Sequence, residues 1–294
     1  MPEPTNVEPG YKLFYLLHGL PLLYTIIAFL ILLSESILIN NLFSENNVLL
    51  KNSYLTAFLY ILFMSSTPAA LTLHPVLIIN GLIILILHML FGLKSKNSGI
   101  KEIFIAGMLI GISSLFFIKS CGLLLFVWIY LIIFQIYSWR EWVVSILGFI
   151  TVYLYLFTYY FLTEQINDVV LEYKIWFENH NLLLSLPKLS VYQYVTSIAL
   201  TIFSLLAIFK IIFSAGQKLI YPRKMTYSIL WLYILTFISS FFIAETIVFD
   251  FSYVLMPLSI ITSYKYQNTK KVLFGEILLW GMIISVVLQK IFIV

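Results

Sequence analysis

The sequence predicts an all-α fold, a polytopic transmembrane bundle of about ten helices, with a range of about 8–10. Three observations carry this expectation. The 294 residues are 62% hydrophobic and 10% charged, with a mean hydropathy of +1.01, whereas a soluble domain carries about 25% charged residues. At that charge the chain could not cover a water-facing surface. Apolar runs of roughly 17–25 residues, enough to cross hydrocarbon, recur from one end to the other. The alternating strands of about ten residues that an outer-membrane barrel requires are absent, so the backbone must satisfy its own hydrogen bonds as helix.

The apolar runs place candidate spans at 13–33, 54–72, 75–93, 102–118, 121–138, 142–162, 193–213, 226–244, 248–263 and 272–293. Ser65-Ser66-Thr67-Pro68 sits near the end of the second, and the ninth is short. The whole chain, residues 1–294, reads as one integral-membrane domain, because its longest non-spanning stretch is only about 30 residues. The opening MPEPTNVEPG has no Lys or Arg, so a cleavable signal peptide is not expected. One cysteine, Cys121, excludes an intramolecular disulfide.

Cations set the expected orientation. Of the 17 Lys and Arg residues, Lys51, Lys94, Lys96, Lys101, Arg140, Lys210, Lys218, Arg223, Lys224, Lys265, Lys270 and Lys271 fall on one side of the spans, read as cytoplasmic. Both termini then face outward, and the 34–53 loop, with Glu35 and Glu45, faces in. Glu35 in LLSESIL fits two placements, within the membrane or at the end of span one. The outward side carries a substantial loop at 164–192. Within it Ile166, Val169, Tyr173 and Trp176 recur at helical spacing, which predicts an interfacial amphipathic helix. Two roles fit it: a connector anchored by Trp176 and Phe177, or a lid over an outward cavity.

Several chemistries lack their motifs. There is no GxxxxGK[ST] phosphate loop, HExxH, CxxC, Gly-rich dinucleotide fingerprint or GxSxG. His18, His74, His88 and His180 are scattered singly, so neither haem nor a di-metal site is supported within one helix. No cofactor and no resident metal are assigned, and no nucleic-acid partner is expected. The remaining polar residues gather near the outward ends of spans. Glu245 and Asp250 flank the turn between spans eight and nine, His74 lies in LTLHP, and Lys119 in FFIKSCG. With Asp168 and Glu172 of the outward loop they form a candidate constellation. Glu245 and Asp250 would be the catalytic carboxylates; His74, Lys119, Asp168 and Glu172 would bind substrate. The plainer reading, boundary residues of ordinary short loops, stands beside it.

The stretches NNLFSENNVLLKNSYLTAFLYILFMSSTP, GLKSKNSGIKEIFIAGMLIGISSLFF, SWREWVVSILGFITVYL and MPLSIITSYKY resemble a Bacteroidota family of polytopic inner-membrane proteins of unknown function. That resemblance implies an envelope protein of the inner membrane and brings no catalytic residues. A weaker resemblance links the chain to multi-span glycosyltransferases that use polyprenyl-phosphate sugar donors. Those place a catalytic acid in the first outward loop; here Glu245, Asp250 and the 164–192 loop would have to substitute.

The sequence therefore points to an integral protein of the bacterial inner membrane and of envelope biogenesis that handles or transfers a lipid-linked saccharide at the periplasmic face. The alternatives are a secondary transporter or flippase, and a non-enzymatic membrane subunit of an envelope complex. The expected partners are the bilayer, a polyprenyl-linked or other lipid substrate, and other membrane proteins.

Overall fold

The computed structural model describes residues 21–49, 53–67, 73–95, 99–167, 170, 171, 174, 191–214, 220–240, 247–267, 279–281, 283, 284, 286 and 287. Among them all regular structure is helical. Nine α-helices follow in order: α1 Pro21–Glu45, α2 Leu55–Ser65, α3 Pro75–Phe91, α4 Ile100–Phe116, α5 Leu123–Phe134, α6 Trp139–Leu162, α7 Val191–Ser214, α8 Ile220–Ser240 and α9 Ile247–Gln267. Short 3₁₀ turns at Gly92–Ser95 and Ile118–Gly122 extend α3 and lead into α5.

Among the described residues two helices, Leu22–Glu45 and Trp139–Leu162, are long and apolar enough to cross a membrane. Others are shorter. α2 has 11 residues, about 16 Å of rise, roughly half of a hydrocarbon core. It stops early because Ser66 and Thr67 hydroxyls turn back onto the carbonyls of Phe63 and Met64 at 2.6 and 2.9 Å, and Pro68 disfavours helix at the residue before it.

The first helix departs from the sequence expectation. It runs to Glu45, so residues 34–45 are helix and not part of a 34–53 loop. Polar residues there suggested a loop, yet Glu35, Ser36 and Asn40 are buried. They continue a helical stripe through Ala28, Leu32, Ile39 and Phe43 that faces α2 and α3. The opposite face presents Leu22, Ile26, Phe29, Leu30, Ile37 and Leu38, all at least half exposed. α6 repeats this arrangement. Glu141, Ser145, Gly148 and Val152 are its buried residues, while Leu147, Ile150, Leu154, Phe157 and Phe161 point away from the bundle. In α6, large apolar residues outside and small or polar residues inside invert the usual amphipathic helix, whereas α1 is apolar on both faces.

α9 lies at the centre. Every residue from Ser252 to Tyr264 is buried, and the helix packs on α2, α3, α7 and α8. Pro257 interrupts its interior and deprives the Tyr253 carbonyl of an intrahelical donor. α2 runs antiparallel to α9, tied by Ser252–Thr67 and Thr56–Ser263 hydroxyl pairs, each 3.0 Å apart. Gln267 also reaches Ser53 at 3.2 Å. On the other flank α4 and α6 form the most extensive helix pair.

These contacts define two ends. At one lie the start of α1, the end of α2, the start of α3 and the 118–122 turn. Tyr24 there bonds to the Leu73 carbonyl at 2.5 Å, and Phe117 meets Tyr253 at 5.8 Å between ring centroids. At the other end Tyr130 and Tyr221 reach the carbonyls of Leu90 and Phe91. Lys101, Arg140, Arg223, Lys224 and Lys265 all stand on helix termini at that second end.

Candidate functional site

Of the residues expected from sequence to carry chemistry, the structure brings several to one end. His74 is the N-cap of α3: its Nδ1 accepts from the Val76 N–H at 3.3 Å, ahead of Pro75, which fits the first helical position. Burial pushes its pKa down to about 3, so the ring is neutral. Lys119 is buried in the 118–122 turn, with Nζ 5.2 Å from the centroid of the Phe117 ring. Phe117 touches Tyr253 of α9, one turn beyond Asp250, whose backbone lies in the first turn of that helix. His74, Lys119 and the Asp250 position thus share the end opposite the cations. Glu245, Asp168 and Glu172 lie outside the described residues. In the 164–192 segment, positions 166, 167, 170, 171 and 174 are helical, with Val170 and Leu171 exposed.

The side chains at this end are committed to structure. The His74 Nδ1 lone pair is occupied by the cap, and Lys119 is covered. Among the described residues, no three His, Cys, Asp or Glu gather where they could hold a metal ion.

A second polar site lies deeper and on different residues. Glu35 of α1, 2% exposed, accepts a hydrogen bond at Oε2 from the Tyr60 hydroxyl of α2 at 2.6 Å. The same hydroxyl accepts from Asn80 Nδ2 of α3 at 3.3 Å, and Tyr60 and Asn80 are fully buried. Three successive helices therefore each supply one polar group. Two acceptors remain without a hydrogen-bond partner among the described residues, Glu35 Oε1 and Asn80 Oδ1. Gly81 makes this possible, since a Cβ there would stand 3.0 Å from Glu35 Oε1, inside van der Waals contact.

The height of Glu35 follows from its helix. It lies 14 residues beyond Pro21 and 10 before Glu45, about 21 and 15 Å from the two ends of the described helix at 1.5 Å per residue. An acidic residue at the centre of a membrane helix costs about 2.5–3.5 kcal/mol on insertion scales, and here its partner is a hydroxyl, not a cation.

Sequence reading left Glu35 between two placements and singled out neither Tyr60 nor Asn80. The available signals were the spacing Ala28, Leu32, Glu35, Ile39, Phe43, which keeps Glu35 on the core stripe, and an Asn-Gly pair inside the apolar run VLIINGLIILIL. No family model, curated protein or solved structure matches the chain.

Proposed function

We propose that the chain is a polytopic α-helical protein of the bacterial inner membrane, its cation-rich end in the cytoplasm, and that it acts in the envelope as a secondary transporter or flippase. Support for the membrane environment comes from α1 and α6, whose outer faces expose far more apolar surface than a water-soluble monomer tolerates. Support for the orientation comes from the cations gathered at one end.

The observation that carries the transport reading is the mid-height position of Glu35. Ionisable groups placed inside the membrane and facing the bundle interior are costly, and they mark ion or substrate pathways. A lipid-linked saccharide enzyme needs its acid at the membrane–water boundary instead.

That second reading keeps one observation in its favour, the shared end of His74, Lys119 and the Asp250 position. In it Asp250 and Glu245 would act as general base or hold a donor-bound metal, with His74, Lys119, Asp168 and Glu172 on the donor.

The two separate in a strain depleted of the chain and complemented with variants. We expect Glu35→Gln, at normal membrane abundance, to fail in rescue, and Asp250→Asn to rescue. The reverse pattern would overturn the transport reading in favour of the boundary site. For orientation, an impermeant maleimide should label the exposed Cys121 from outside intact spheroplasts. Arg223→Cys, in a Cys121→Ser background, should label only after lysis.

A further inference from the structure

We propose that Glu35, seated on Tyr60 and Asn80, is a proton-binding site: a mid-membrane carboxyl that is neutral while occluded and ionises only when water reaches Oε1. The inference rests on the reading of α1 as a membrane span.

The geometry separates the two carboxyl oxygens. Oε2 is held by the Tyr60 hydroxyl at 2.6 Å, and Tyr60 is held in turn by Asn80 at 3.3 Å. Oε1 lies against the α3 backbone at Gly81, with the Gly81 peptide as a neighbour, and completes no well-formed hydrogen bond among the described residues. An ionised carboxylate would leave a full negative charge there, buried and unpaired, which protein interiors avoid by neutralising the group. A carboxylic acid resolves the conflict, because its proton on Oε1 makes that atom a donor. The same cluster holds an acceptor, Asn80 Oδ1, that has no hydrogen-bond partner among the described residues. On ionisation the Oε1–H bond breaks, the electron pair stays on the carboxylate and the proton passes to water. The Tyr60 hydroxyl keeps its own proton and serves to position the group.

Among the described residues, no other titratable group pairs with Glu35 as a counter-ion. On α1, Glu45 is exposed at the last residue. On α2, Tyr60 is the direct partner. On α3, His74 caps the N-terminus, and His88, exposed, stands about two turns beyond Gly81. On α9, behind α2 and α3, Tyr253 and Tyr264 are buried, Lys265 marks the cation-rich end and Asp250 the opposite one.

The test is an infrared pH titration of the full chain reconstituted in phosphatidylethanolamine–phosphatidylglycerol vesicles. A carbonyl-stretch band of protonated carboxyl should titrate as one group and vanish completely in Glu35→Gln. In Tyr60→Phe, which keeps the carboxyl, the band should shift to higher frequency because one hydrogen bond to it is gone. Absence of any Glu35-dependent band, or a band that Na⁺ or K⁺ removes at constant pH, overturns the proposal; the latter assigns the site to a metal cation. A pH dye trapped in the same vesicles tests transport separately. A titrating Glu35 band without Glu35-dependent proton flux leaves the proton site standing and removes the transport reading.

Discussion

The Tyr60 hydroxyl and the Glu35 carboxyl, 2.6 Å apart, join α1 to α2 near the middle of α1, with no cation paired to them among the described residues. Removing the hydroxyl strands Oε2. Tyr60→Phe should therefore cost about 1–2 kcal/mol, more than the average interhelical hydrogen bond in a membrane and near the penalty for a buried unsatisfied acceptor. SDS-titrated unfolding of reconstituted protein measures it. In a Glu35→Leu background the same substitution should cost almost nothing. An equal cost in both backgrounds would mean that ring packing, not the hydrogen bond, holds α1 to α2.

Gly107 of α4 and Gly148 of α6 let the two backbones touch. A Cβ on Gly107 would overlap the Ser145 carbonyl, and one on Gly148 would overlap the Phe104 carbonyl. Backbone cannot rotate away as a side chain can. Gly148→Ala and Gly107→Ala should each destabilise by about 1–3 kcal/mol through separation of α4 from α6. Gly92→Ala and Gly122→Ala, where a Cβ meets nothing within 4 Å, should change stability by less than about 0.5 kcal/mol. Equal effects at all four positions would contradict the crossing.

How much of this is legible in the chain depends on the range of the interaction. Apolar runs mark where helices lie, and each expected span overlaps helical residues in the structure. Their ends are harder. Ser34-Glu35-Ser36 and Asn40 have the polarity of a loop, and hydropathy alone cannot distinguish a polar residue facing water from one facing three other helices. Periodicity can, since Ala28, Leu32, Glu35 and Ile39 keep one face. The cation rule brings out the shared end of His74 and Lys119 without showing that one side chain is used in a cap and the other covered. Tyr60 and Asn80 carry no local signature, because their role exists only when α1, α2 and α3 pack together.

Ser252 and Thr67 test that end directly. Their hydroxyl oxygens lie 3.0 Å apart across α9 and α2, which brings the two Cβ atoms near disulfide range. Thr67→Cys with Ser252→Cys, in a Cys121→Ser background, should cross-link under mild oxidation and migrate faster on a non-reducing gel. Thr67→Cys with Ser263→Cys should not, since Ser263 pairs with Thr56 at the far end of α2. Cross-linking of the second pair would reverse the α2–α9 register and with it the placement of the Asp250 position at the end that holds Lys119.

His74 predicts a pH dependence whose sign follows from its burial. The folded-state pKa is lowered to about 3, against about 6.5 in an unfolded chain. Between these values the unfolded state binds the extra proton, so stability is fully present above pH 6.5 and is lost as pH falls toward 3. Protonation also removes the Nδ1 lone pair that accepts from Val76 and sets a positive charge at a helix N-terminus, which the helix dipole opposes. The loss should reach about 1–2 kcal/mol at pH 5. His74→Asn keeps a cap acceptor and cannot titrate, so its stability should stay flat from pH 7 to pH 5 in the same SDS unfolding measurement. If wild type and His74→Asn fall together over that range, the acid sensitivity belongs to another group and the cap is not its origin.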